Sequence, residues 1–242
     1  MSYFKRMRVE PYAKDSIIHV TKRGTRGMDI VRDNNDRERF LRSLFYLNDA
    51  HSDANWHRLT AELPVFERPS HWPEREPLVR ILAWTLLTNH FHLLLQEISK
   101  GGTAKFMQRL GGSLSMCFNS KYKGKGSIFQ SAYHGRVVES DAHMNYLAFY
   151  LLVKNVLEMY PGGLTAALAD FDDAWEWATR YSFSNLLDTV SGKPRPITDD
   201  PDELLTEIIG RGNSFKKEAK ELLQAHMHSR GEDFKAVMIE SW

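Results

Sequence analysis

Apolar residues are concentrated most densely between Leu78 and Gln96, LVRILAWTLLTNHFHLLLQ, as two runs broken only at Thr88-Asn89. Short apolar runs bounded by a polar break predict two strands joined by a tight turn. Upstream, SIIHVTKRGTRGMDIV (Ser16 to Val31) predicts a hairpin of two short strands around a Gly24/Gly27 turn with basic residues at its tip. Asp33 to Asp36 are cap-type residues, and Phe40, Leu41, Leu44, Phe45 and Leu47 then recur at helical spacing to about Asn48. From Asp49 to Pro77 the pattern dissolves into polar, Pro-containing sequence with scattered Trp56, Phe66 and Trp72, which predicts a surface excursion.

After Gly101-Gly102, Thr103 is placed to cap a helix running to about Tyr122, with Phe106, Leu110, Leu114 and Phe118 on one stripe. Gly111-Gly112 in its middle weakens it and marks a close backbone approach. Lys121 to Gly126, KYKGKG, is a flexible basic loop, followed by a strand near His134 to Val138. Ser140-Asp141 caps a further helix that Pro161-Gly162-Gly163 ends.

Strands grouped with intervening helices predict an α+β fold, an antiparallel-rich sheet with helices packed on it, over residues 1–163. Residues 164–242 predict an appended helical region, with helices at Leu164 to Arg180, Pro201 to Ile209, Ser214 to His226 and Phe234 to Glu240. Between them, SGKPRPITDDPDE (Ser191 to Glu203) has the composition of a Pro-rich linker.

The chain has 242 residues, 42% apolar and 26% charged, the composition of an ordinary soluble globular protein. The start, MSYFKRMRVEPYAK, lacks the apolar core of a secretory signal, and no run approaches the ~20 apolar residues needed to span a bilayer. A cytoplasmic location is expected, and Cys117, the only cysteine, fits a reducing compartment and rules out a cysteine-based zinc site.

A net charge of +1 points to no partner, but its distribution does. Between Ile98 and Val138 there is no Asp or Glu, while Lys100, Lys105, Arg109, Lys121, Lys123, Lys125 and Arg136 are all positive. Lys5, Arg6, Arg8, Lys14, Lys22, Arg23 and Arg26 add to them near the N-terminus. Such segregation predicts a polyanionic partner, with Lys22, Arg23, Arg109, Lys121, Lys123, Lys125, Arg136 and Lys154 as the candidate DNA contacts.

Side chains alternate along a strand, so His90 and His92 leave the same face with Leu94 and Gln96. Two imidazoles at that spacing suit a divalent cation, although buried, hydrogen-bonded histidines on a half-polar face satisfy the same pattern. On the helix from Ser140, His143, Tyr146, Tyr150 and Lys154 fall within about 80° of one another. A row of phenolic and polar groups therefore runs along one helix face.

These pieces together resemble the single-tyrosine HUH endonucleases, in particular IS200-like transposases and their REP-associated relatives. The matching residues are His19-Val20-Thr21-Lys22-Arg23-Gly24, Asp33 with Asp36-Arg37, Asn89-His90-Phe91-His92-Leu93-Leu94-Leu95, Gly126-Ser127-Ile128-Phe129-Gln130, and Tyr150. The resemblance covers about residues 16 to 160, in the family's order and spacing. It implies a ferredoxin-like or RRM-like domain in which His90 and His92 bind Mg2+ or Mn2+. It implies also that Tyr150 attacks a phosphate of single-stranded or hairpin DNA, leaving a 5'-phosphotyrosine and a free 3'-OH.

Tyr146, one turn earlier on the same face, competes for that role, and the run Tyr150-Leu-Leu-Val favours Tyr150. Relatives often carry Asn or Gln four residues after the tyrosine to finish the metal site. Here that position is Lys154, a cation when protonated and no ligand, and Asn155 lies about 100° further round an ideal helix. The third ligand stays open, as does a homodimeric state. Two alternatives remain at this stage: a domesticated, non-catalytic nucleic-acid-binding protein of the same fold, which Lys154 keeps alive, and a hydrolase with zinc on His90 and His92, which would need a third protein ligand.

Overall fold

The structure, a computed structural model, describes residues 12–201, 203–209 and 213–228. Its centre is one antiparallel sheet of β1 (Ile17–Arg23), β2 (Val79–Leu86), β3 (His90–Glu97) and β4 (His134–Val137), in the order β2-β3-β1-β4. This is the α+β architecture that the alternation predicts.

The local hairpin over Ser16 to Val31 does not form, because β3 and β4 occupy both edges of β1. The chain instead leaves β1 through a 3-10 turn, Thr25–Gly27, with Arg26 at φ 55° and Gly27 at φ 74°. Ile30 N–H and Val31 N–H then donate to the Thr88 carbonyl at 2.8 and 3.2 Å, tying this segment to the β2–β3 turn. Gly24 is required here, since a Cβ would stand 2.1 Å from the Met28 carbonyl oxygen.

Helices α1 (Asn34–Tyr46) and α3 (Gly102–Tyr122) cover one face of the sheet, where Phe40, Leu44, Phe106 and Leu110 meet Ile18, Val20, Phe91, Leu93 and Leu95. Asp33 caps α1 by accepting from Asp36 N–H at 3.0 Å, and Asp36 accepts in turn from Arg32 N–H at 2.8 Å. The cap of α3 is not Thr103. The buried Glu97 carboxylate, at the end of β3, accepts from Gly101 N–H at 2.8 Å and Thr103 N–H at 2.9 Å. A charged acceptor at a helix start answers both the orphan N–H groups and the helix dipole.

The predicted surface excursion is pinned down. Its short helix α2 (Trp56–Leu59) buries Trp56 against Tyr46, ring centres 5.3 Å apart, while Phe66 meets Phe45 at 5.4 Å. Large aromatic rings bury enough apolar area to hold an otherwise polar segment.

The opposite face carries α4 (Asp141–Phe149), a π turn (Tyr150–Lys154) and α5 (Asn155–Leu157) as one continuous rod. Around it pack α6 (Gly163–Ala169), α7 (Phe171–Arg180), α8 (Leu186–Ser191), α9 (Leu204–Ile209) and α10 (Asn213–His228). The single helix expected over Leu164 to Arg180 breaks at Asp170, whose side chain caps α7 by accepting from Asp173 N–H at 3.2 Å.

A register shift between Ile81 and Ala83 brings Leu82 and Ala83 together with Leu94 into this second core, beside Leu147, Leu151, Phe171 and Phe215. Asn185 secures the irregularity, donating to the Leu82 carbonyl at 3.0 Å and accepting from Trp84 N–H at 2.7 Å.

The Pro-rich stretch from Ser191 to Glu203 is no free linker. Ile197 is buried, Arg195 pairs with Asp188 at 2.9 Å, and Asp199 N–H donates to the Ile81 carbonyl at 3.0 Å. The helical region thus shares its core with the sheet and the α4 rod. The predicted helix at Phe234 to Glu240 and the basic Lys5, Arg6 and Arg8 lie outside the described residues. Among the described residues, no helix is long and apolar enough to cross a membrane.

Candidate active site

Register fixes which side chains share the face under the α4 rod. His92 stands opposite Thr21 and Thr85, His90 opposite Arg23, and His19 opposite Leu94 and Arg136. Facing partners in an antiparallel pair point the same way, so His19, Thr21, Arg23, Thr85, His90, His92, His134 and Arg136 all lie on one side.

The rings of His90 and His92 are 4.9 Å apart, edge to face. His90 is half-buried and its Nδ1 lies 2.6 Å from Asn89 Oδ1, an acceptor, so Nδ1 carries the proton and Nε2 the lone pair. His92 is fully buried, stacks on His19 with ring centres 5.2 Å apart, and places Nδ1 3.0 Å from His19 Nε2. If His92 Nδ1–H donates and His19 Nε2 accepts, His92 Nε2 is likewise a lone pair. A neighbour bonded to the distal nitrogen is how ligating histidines are oriented.

Ser140 begins α4 by accepting from His143 N–H at 3.2 Å, as its sequence predicts. The helix then brings Tyr150 edge-on to His92, ring centres 5.6 Å apart, with Tyr146 6.1 Å behind Tyr150. His90, His92 and Tyr150 are therefore gathered in one place.

At Tyr150 the helix changes pitch. Asn155 N–H donates to the Tyr150 carbonyl, an i to i+5 bond, and Thr85 Oγ1–H donates to the Leu151 carbonyl. One extra residue in the turn means that Lys154 and Asn155 together flank the position one turn on from Tyr150. Lys154 Nζ sits 4.7 Å over the Tyr150 ring and pairs with Glu158 at 2.7 Å. Asn155 is fully buried, and neither Oδ1 nor Nδ2 has a hydrogen-bond partner. Burying an amide with no partner costs roughly 1–3 kcal/mol, and of its two polar atoms only Oδ1 has the lone pairs to serve a cation.

Nearby, His143 is pushed down from its usual value by burial and by Arg136, against the pull of Glu139. The site is closed, with Tyr150 1% and His92 0% exposed. On the outside of the rod, Asn145 Nδ2 donates to Glu218 of α10 at 2.7 Å.

The basic residues separate into distinct environments. Arg23 and Arg136 share the histidine face. Lys22 alternates to the other side, buried under α3. Arg109 donates to the Asp49 carbonyl and fastens the segment after α1. Lys121 is held by Asp33 at 2.6 Å and Asp36 at 2.7 Å, which hold it charged well above its ordinary range. Lys123 and Lys125 are exposed on the loop after α3, with Lys123 in the left-handed region at φ 56°.

Among the described residues no group of three or more His, Cys, Asp or Glu is arranged to hold a metal ion. The orienting role of His19 has a sequence signal only in its odd-numbered place on β1; its meeting with His92 depends on the register of a strand 73 residues away.

No family model matches the chain, and no curated protein does. Among solved structures it is similar to that of a REP-associated tyrosine transposase bound to a REP hairpin, with 13% identity, a TM-score of 0.45, and coverage of 84% of this chain and 93% of the other.

Proposed function

We propose that the protein is a metal-dependent tyrosine endonuclease and strand transferase of transposase type, acting on single-stranded or hairpin DNA. The observation that supports this reading is the edge-on approach of Tyr150 to His92, on a strand that also presents His90. His90, His92 and Asn155 would hold Mg2+ or Mn2+. Such a cation, when bound, makes a phosphodiester more electrophilic and offsets its charge.

The chain's own residues supply the rest. Tyr150 gives up its phenolic proton and its oxygen attacks phosphorus; a P–O(Tyr) bond forms as the P–O3' bond breaks, and the 3'-oxygen takes a proton to leave as a 3'-OH. Lys154, close to the Tyr150 ring, favours the phenolate. Arg23 and Arg136 draw the strand to the histidine face. The phenolic ester is a good leaving group, so attack by a DNA 3'-OH reverses the step and rejoins DNA with no external energy source.

The test is incubation of labelled single-stranded DNA with the protein and Mn2+, followed by a denaturing gel. We expect a protein-linked oligonucleotide, lost completely in Tyr150→Phe and retained in Tyr146→Phe. An adduct that survives in Tyr150→Phe would overturn the assignment. The burial of Tyr150 favours one second reading, a DNA-binding protein without turnover, which predicts retention of the oligonucleotide on a native gel and no adduct at any metal concentration.

A further inference from the structure

Directly behind the histidine pair, on the opposite face of the sheet, lies an open groove of about 780 Å3. Lys22 forms its floor. In register it stands opposite Phe91, the residue between His90 and His92, so groove and histidines are separated only by the thickness of the sheet.

Several features show a built site. Lys22 is 6% exposed, and its ammonium donates to the Ser131 carbonyl at 3.0 Å and to the Ala132 carbonyl, with the Phe129 ring centre 4.6 Å away. Among the described residues no carboxylate lines the groove. An ammonium has three donors, so two carbonyls leave one for a ligand, and the charge meets carbonyl dipoles and a ring face instead of a counter-ion. Gly111 lets α3 pass this close: a Cβ there would come within 2.7 Å of Lys22 Cε. At Gly112 the same test meets nothing within 4 Å, so α3 presents bare backbone to the cavity.

The far wall carries Phe129 and Tyr133. It is fixed to the end of β1, because Gln130 N–H donates to the Arg23 carbonyl at 3.1 Å and Thr25 N–H to the Ile128 carbonyl at 2.8 Å. A cationic floor, aromatic walls, an open mouth and no acid among the described residues define the chemistry of the occupant.

We propose that this groove takes one unpaired nucleotide of the DNA that the protein acts on, its phosphate at Lys22 and its base against Phe129 and Tyr133. This rests on the DNA reading above and deepens it. A strand leaving the histidine face rounds the end of the sheet at Arg23 and places a later unpaired base in the groove. Stacking on aromatic side chains tolerates any base, so the contact measures strandedness and not sequence. The groove thereby selects DNA with an unpaired nucleotide a few positions from the reacting phosphate.

The experiment titrates the full chain into a single-stranded oligodeoxynucleotide carrying 2-aminopurine, whose fluorescence falls on stacking, with anisotropy giving Kd in parallel. We expect quenching with the natural sequence, and in Lys22→Met and Gly112→Trp a roughly tenfold higher Kd with the quench lost. Gly112→Trp fills the open space at α3 without touching Lys22, so it guards against a folding defect in the first variant. If the natural sequence binds and both variants bind and quench equally well, the groove is not the site, and the DNA reading stands without it. Weaker binding in the variants but no quench in the natural protein would mean charge attraction alone, and would sink the nucleotide assignment. Failure of the natural protein to bind the oligonucleotide removes both readings together.

Discussion

The two faces of the sheet bury polar groups in different ways. On the α3 face the charged groups in a mostly apolar layer are each given backbone partners, Lys22 its carbonyls and Glu97 the N–H groups that start α3. On the α4 face polar groups cluster: three histidines and two tyrosines make a chain of ring contacts, and the Asn155 side-chain amide has no hydrogen-bond partner. A buried amide without partners is a standing cost. The first face opens into a groove, whereas the second keeps its imidazoles, phenols and amide closed under the α4 rod.

Breaking the comparison at its strongest point means removing His92. Because it is fully buried between His19 and Tyr150, His92→Ala should cost about 2 kcal/mol or more of unfolding free energy, against less than about 1 kcal/mol for the half-buried His90→Ala. Both should lose Mn2+ binding by calorimetry. Equal stability of the two variants in chemical denaturation would show that the imidazole stack contributes nothing.

Asn155→Leu sharpens the contrast, since it removes two unpaired polar atoms and keeps the branched shape. Without metal the variant should be more stable than the natural protein by about 1 kcal/mol, while its Mn2+ affinity should fall at least about tenfold. Loss of stability in EDTA would show that Asn155 has partners in solution.

The α3 face predicts a pH effect. Burial lowers Lys22 to about 8. Its folded value lies below its unfolded value, so between about pH 8 and 10.5 the unfolded chain binds more protons and folding gains stability as pH rises; below pH 8 the full penalty remains. Lys22→Met has no such penalty, so its stability advantage over the natural protein should shrink by about 2–3 kcal/mol across that window. An advantage that does not change with pH would mean that Lys22 titrates normally. The background titration of other lysines cancels in the difference.

What the sequence discloses follows the range of the interaction. His90 and His92 sharing a face is a period-two property of eight residues, and the polar row with Tyr150 is a helical one, so both are legible locally. The same parity places Lys22 and Arg23 on opposite faces, although both belong to one basic tract. The hairpin after β1 fails because a local pattern cannot tell that distant strands take both edges. Lys121 looks like a phosphate contact until α1 packs against α3 and delivers Asp33 and Asp36 to it. Pro-rich composition likewise hides Ile197 and the Arg195–Asp188 pair, which only β2 and α8 make sense of.

The π turn has a consequence at the level of the gene. A bulge of this kind absorbs a single added residue while the helix before and after it keeps its packing, so it behaves as one codon carried in excess. Deleting Lys154 would leave Tyr150-Leu-Leu-Val followed directly by Asn155, an ordinary α-helical turn with the amide four places after the tyrosine. The shortened protein should keep α5 against α6 and α7, lose the Lys154–Glu158 pair, and still bind Mn2+ through its amide. A three-nucleotide deletion thus removes the charge beside the phenol and the added residue of the turn together, whereas a point substitution of Lys154 removes the charge and keeps the bulge.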